Sequence, residues 1–148
     1  MRRIIVILLV LLLARTSASL PAHAYDEGPG IRGVKGFANL VVMWRTWRDG
    51  DKVAITGGIR PVGNQPLHNL ELRVRVLSSG GEDLGRATFA FFPTEIPPGM
   101  TLHQGLTIDV PPGKKPARLA FIYAYYLEDD GNLLPSFEGF DVDLADLK

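Results

Sequence analysis

The sequence predicts an all-β fold, and two observations carry the prediction. Turn-forming residues punctuate the chain at short intervals: Gly28-Pro29-Gly30, Asp49-Gly50, Gly57-Gly58, Gly80-Gly81, Pro97-Pro98-Gly99, Pro111-Pro112-Gly113 and Asp130-Gly131. Between them lie segments of about seven to eleven residues in which apolar and polar side chains alternate with period two, and no window carries an apolar stripe at the 3.6-residue spacing of a helix.

The first two strands, 37–48 and 51–60, flank Asp49-Gly50, a dipeptide that favours a two-residue hairpin turn. Closing the hairpin there sets Thr46 opposite Val53, Trp44 opposite Ile55 and Val42 opposite Gly57. Directly opposed residues share a face, so Leu40, Val42, Trp44, Val53, Ile55 and Ile59 point inward. Val41, Met43, Arg45 and Trp47 point outward beside Lys52, Ala54 and Thr56, a face too apolar for plain solvent. That outer face is the candidate interaction surface.

The clearest strand is 69–78, where Leu70, Leu72, Val74 and Val76 alternate with Asn69, Glu71, Arg73 and Arg75, one aliphatic face against one charged face. Strand 84–92 turns Ala87, Phe89 and Phe91 inward, and strand 101–110 does the same with Leu102, Leu106, Ile108 and Val110. In strand 117–127 the inward set is Leu119, Phe121, Tyr123 and Tyr125. Strand 133–144 ends the chain with Phe140, Val142 and Leu144 inward against Asp141 and Asp143. About seven short antiparallel strands at this spacing predict one two-sheet β-sandwich of immunoglobulin-like or fibronectin-like type over residues 37–148, in preference to a barrel.

Ahead of the domain, Arg2 and Arg3 precede an unbroken apolar run of 11 residues from Ile4 to Ala14, and small residues stand at Ala22 and Ala24. A positive head, a short apolar stretch and an Ala-x-Ala site are what signal peptidase reads. Residues 1–24 are therefore expected to be a signal peptide, with the mature chain starting at Tyr25 and residues 25–36 forming a flexible N-terminal segment. Spanning a bilayer takes roughly 20 apolar residues. Arg15 ends the run well short of that, so no membrane insertion is expected after cleavage, and the destination is periplasmic or extracellular.

The leader holds three of the 16 basic residues and none of the 16 acidic ones, which leaves the mature part an excess of three acids. A mildly acidic, mixed surface offers no field for nucleic acid. With no cysteine there is no disulfide framework and no thiol chemistry. About 124 mature residues are enough to bury one core without such staples.

Candidate chemistry is sparse. A serine nucleophile needs a base beside it, and the mature chain offers His68, in a turn-rich stretch, and His103, on the outward parity of its strand; both read as surface residues. Glu128-Asp129-Asp130-Gly131-Asn132 has the oxygens calcium favours, yet it sits where two strands reverse, and only Glu138 could close the set. Glu95, Asp109 and Asp129 show no spacing that marks a catalytic pair. The glycines at positions 28, 30 and 33 lead into no helix, so they make no phosphate cradle. No cofactor, no metal and no catalytic residue is expected.

The run Val53-Ala54-Ile55-Thr56-Gly57-Gly58-Ile59, then Gly63-Asn64-Gln65-Pro66-Leu67-His68-Asn69-Leu70-Glu71-Leu72-Arg73-Val74-Arg75-Val76-Leu77, Gly80-Gly81, Leu84-Gly85 and Pro97-Pro98-Gly99 resembles the FxLYD-type immunoglobulin-like domains of bacterial envelope proteins. The resemblance covers residues 52–126. It departs at the namesake motif, which is Val76-Leu77-Ser78 here, and at Met100, where an acid is usual. It implies an envelope β-sandwich and supplies no catalytic residues. The favoured function is thus a non-catalytic domain contacting a protein partner in the envelope, as an accessory or adaptor subunit. The alternatives are a carbohydrate-binding module using exposed aromatics such as Trp47 and Tyr126, and an enzyme with a loop-built site.

Overall fold

A computed structural model of the chain describes residues 30–145. The leader, the cleavage site before Tyr25 and the segment 25–29 lie outside the described residues. Nine strands follow in order: β1 (Ile31–Gly36), β2 (Leu40–Asp49), β3 (Lys52–Pro61), β4 (Leu67–Leu77), β5 (Asp83–Ala90), β6 (Glu95–Ile96), β7 (Leu102–Asp109), β8 (Arg118–Asp129) and β9 (Asn132–Asp143). They form two antiparallel sheets, β1-β2-β3-β7 and β5-β4-β8-β9, with the short β6 added to the edge of β4. The fold is the β-sandwich that the alternation predicts, with all seven expected strands present.

The inward rows of both sheets make one core. Leu40, Val42, Ile55 and Ile59 from the first sheet meet Leu70, Leu72, Val74, Leu119, Phe121 and Tyr123 from the second, all buried. On the flank below β1 and β9 the filling is aromatic: Trp44 lies 4.7 Å from Phe140, which stacks on Phe121 at 4.8 Å. On the opposite flank the sheets close in, because Gly85 of β5 presents no side chain to β7; a Cβ there would meet the Asp109 carbonyl oxygen at 2.5 Å. Leu72→Ala or Val74→Ala is expected to cost about 2–4 kcal/mol, and Arg73→Ala, on the outer side of the same strand, no more than about 0.5 kcal/mol. Urea denaturation separates the two classes, and equal losses would mean that both faces of β4 are covered.

Three expectations are corrected. Residues 31–36, read as part of a flexible segment, form β1 and pair with β2 from Ile31↔Thr46 to Gly36↔Val41. Gly33 is not a loose joint: the Trp44 ring fills the space where its Cβ would stand, within 2.1 Å. The first hairpin turns on Gly50-Asp51, so Trp44 pairs with Gly57 and Val42 with Ile59, two residues from the expected register. Gly50 takes φ +59°, as the first central position of a type II′ turn requires. A slip of two keeps every side chain on its expected face. Finally, β4 begins at Leu67, so His68 is half-buried in a strand and not a surface loop residue.

One polar pair lies inside the core. Gln104 of β7 falls on the inward parity, and its side-chain amide donates to the Tyr123 hydroxyl at 3.1 Å. Burial pushes the Tyr123 hydroxyl up to about 12, an effect its hydrogen bond to Gln104 partly offsets. Above its ordinary value near 10 the unfolded chain loses that proton while the native state keeps it. Stability from this group is therefore complete below about pH 10 and is lost as pH rises toward 12, by an amount on the order of 2–3 kcal/mol. Tyr123→Phe is expected to remove that part of the alkaline loss; chemical denaturation curves at pH 9 and pH 11 in both proteins measure it.

Candidate functional site

The outer face of the first sheet is built from alternate residues of four strands. β2 contributes Val41, Met43, Arg45 and Trp47, which the register sets beside Arg60, Gly58, Thr56 and Ala54 of β3. β7 continues these rows with His103, Gly105 and Thr107, and β1 adds Val34 beside Met43 and Arg32 beside Arg45. Val34 is 68% exposed. It extends the apolar strip made by Val41 and Met43 to the sheet edge.

All six expected surface residues lie on this one face. Only Lys52 is exposed, however; Val41, Met43, Arg45, Trp47 and Thr56 are half-buried. Within the face, the Arg45 guanidinium lies 5.2 Å from the Trp47 ring centroid, a cation–π geometry that covers part of the ring. Lys52 pairs with Asp109 at 3.4 Å at the rim. Two shallow depressions share Met43: one of about 240 Å³ among Arg32, Val34 and Trp44, and one of about 360 Å³ toward Arg60, Val62 and Pro98. β1 lies beside β2, extending the sheet, and β9 belongs to the other sheet, so neither described segment folds across this face.

The other sequence candidates are scattered. Trp47 and Tyr126, both offered as sugar-stacking residues, stand on the outer faces of opposite sheets and cannot form one row. Asp130 and Gly131 take φ +48° and +78° as the two central residues of the β8–β9 hairpin, the type I′ turn that Asp-Gly favours. Glu138 lies six residues along β9 from Asn132, about 20 Å at the rise of a strand, so it cannot close a calcium loop at that tip. Asp109 and Asp129 lie toward opposite ends of the sandwich, and Glu95 sits in β6 opposite His68. His103 is exposed in β7, opposite Gly58. Among the described residues no group of three His, Asp or Glu side chains converges on a metal position, and no helix is long and apolar enough to cross a membrane.

Sequence reasoning missed the contribution of β1. Its sequence Ile-Arg-Gly-Val-Lys-Gly places the two apolar residues, Ile31 and Val34, on opposite faces, so no apolar–polar alternation marks it as a strand.

No family model matches the chain, and no curated protein matches it. Solved structures give partial likenesses of low identity. The chain is similar over 76% of its length to the GAE domain of GGA2p from Saccharomyces cerevisiae, covering 97% of that chain with a TM-score of 0.38 and 15% identity. It is also similar to a β-glucuronidase from glycoside hydrolase family 2, at TM-score 0.36 and 7% identity over 74% of this chain, and to a putative β-galactosidase from Bacteroides fragilis, at TM-score 0.35 and 13% identity over 73%. The chain spans 10% and 15% of the lengths of those two glycosidase chains.

Proposed function

We propose that the protein is an exported, non-catalytic β-sandwich domain that acts by protein–protein contact in the cell envelope, as an accessory or adaptor subunit, through the outer face of its first sheet. The observation that supports this reading is the make-up of that face. On the second sheet the outer side is mixed: Arg75 and Arg86 both reach Asp83 and Arg118 reaches Asp141, ordinary solvated ion pairs, while Tyr126 and Phe137 are exposed toward its other end. On the first sheet, Val34, Val41 and Met43 form an apolar strip, and next to it along β2 Arg45 lies against the Trp47 ring with Lys52 at the rim, the mixture of aromatic and arginine side chains in which binding energy concentrates. The signal-peptide pattern of residues 1–24 and the resemblance to FxLYD-type domains both favour an envelope location.

Placing a photo-crosslinking amino acid at Met43, in cells that produce the protein, tests the reading. A discrete adduct is expected from that position and not from Thr88, which is exposed on the other sheet. Trp47→Ala should abolish the adduct without lowering the melting temperature. No adduct from Met43, or equal yields from both positions, would overturn the proposal.

A further inference from the structure

The second sheet carries a cleft that the alternation pattern does not announce. β4 is irregular between His68 and Glu71 where it pairs with β8, and Asn69 takes φ +51° there, with its backbone N–H donating to the Thr94 carbonyl at 2.7 Å. A left-handed asparagine inside a bulge re-aims a side chain at the cost of local pairing. Here it brings exposed Asn69 to the rim of a cleft of about 370 Å³ that also holds Glu71, Arg73, Ala124, Tyr126 and Phe137.

The registers explain the shape. Ala124 pairs with Glu71 on one side and with Phe137 on the other, so the smallest side chain of the row forms the floor between a carboxylate and an aromatic ring. Tyr126 follows Ala124 on the same face of β8 and lies opposite Pro135. The two rings are free to be used: Phe137 is 63% exposed and Tyr126 40%.

We propose that this cleft is a binding site for a neutral carbohydrate, with one sugar ring resting against Phe137 and Tyr126 and its hydroxyls held by Glu71, Arg73 and Asn69. A pyranose ring has an apolar C–H face, which suits the electron-rich face of an aromatic ring, and hydroxyls that both donate and accept. The cleft supplies the matching groups: a carboxylate that only accepts, a guanidinium that only donates and an amide that does both. Glu71 and Arg73 are ion-paired, so the site presents polar partners without net charge. An anion would face the Glu71 carboxylate and a cation the Arg73 guanidinium, which is why a neutral polyol fits and a phosphate does not. The volume lies within the range of roughly 300–1,000 Å³ usual for ligand clefts. This site is independent of the first-sheet surface proposed above.

Titration of the purified protein with maltohexaose, cellohexaose and hexa-N-acetylchitohexaose, followed by amide chemical shifts, tests the site. At least one oligosaccharide is expected to bind at millimolar concentration or below, with the largest shifts at Asn69, Ala124 and Phe137. Phe137→Ala and Glu71→Gln should each weaken that binding about tenfold or more, equivalent to roughly 1.4 kcal/mol. Phe137→Tyr should retain binding, and Trp47→Ala should leave it unchanged. Failure of all three sugars to shift these amides, binding that survives Phe137→Ala, or a stronger response to inorganic phosphate would overturn the proposal. None of these outcomes bears on the crosslinking result at Met43.

Discussion

Phe121→Ala is expected to destabilise the protein by about 3–5 kcal/mol, the range for removing a fully enclosed aromatic ring. Phe121 is 1% exposed. It stands at the centre of β8, paired with Val74 on one side and with Phe140 on the other. Its ring stacks on Phe140 at 4.8 Å and lies 6.2 Å from Trp44, so the deletion removes the buried ring of the aromatic cluster between the two sheets. The surrounding rings are large and held by strand pairing, which limits collapse into the space left behind. Phe92→Ala is the control, because Phe92 is 74% exposed and should change stability by no more than about 0.5 kcal/mol. Urea denaturation followed by tryptophan fluorescence measures both, and similar losses in the two variants would remove Phe121 from the centre of the core.

The second large effect is backbone contact. Gly57→Ala should cost about 3 kcal/mol or more, at the upper end for overpacking, because a Cβ at Gly57 would stand 2.0 Å from the Met43 carbonyl oxygen and 3.0 Å from the Trp44 Cα. These are main-chain atoms of the neighbouring strand, and no rotamer change can move them aside. Gly105→Ala is expected to be harmless or slightly stabilising: the nearest atom, the Thr56 Cγ2, is 4.0 Å from its Cβ position, and replacing glycine restricts the unfolded chain. Thermal melts of the two variants should diverge by many degrees. A Gly57→Ala protein as stable as Gly105→Ala would show that β2 and β3 are further apart at this point.

Much of this architecture was legible in the sequence because the alternating strands each have one wet side. Leu70, Leu72, Val74 and Val76 could be assigned to the core from their spacing alone, as could Leu119, Phe121, Tyr123 and Tyr125. The hairpin register was not legible to the residue, since Asp49-Gly50 and Gly50-Asp51 both make tight turns with positive φ at Gly50, and the pairing of Asp49 with Lys52 decides between them. The outer-face set survived because face depends on parity and not on register. β1 escaped notice for a different reason: glycine reads locally as freedom, whereas Gly33 is required by the Trp44 ring packed against it. The carbohydrate cleft was beyond a strand-by-strand reading. Tyr126 stood out as outward, but its association with Phe137, Ala124 and Glu71 follows from pairings across β4, β8 and β9 and from the bulge at Asn69, none of which alternation records.

The position of Pro135 bears on how the molecule behaves in crowded solution. β9 is a twelve-residue strand at the margin of its sheet, and Leu133, Leu134 and Phe137 are exposed along it, the kind of border from which sheets grow between molecules. Proline has no amide hydrogen, so an incoming strand meets a missing donor between Leu134 and Phe137. The border is therefore interrupted beside its most adhesive side chains. The protein can keep Phe137 uncovered for a ligand without turning its sheet into a seed for fibres.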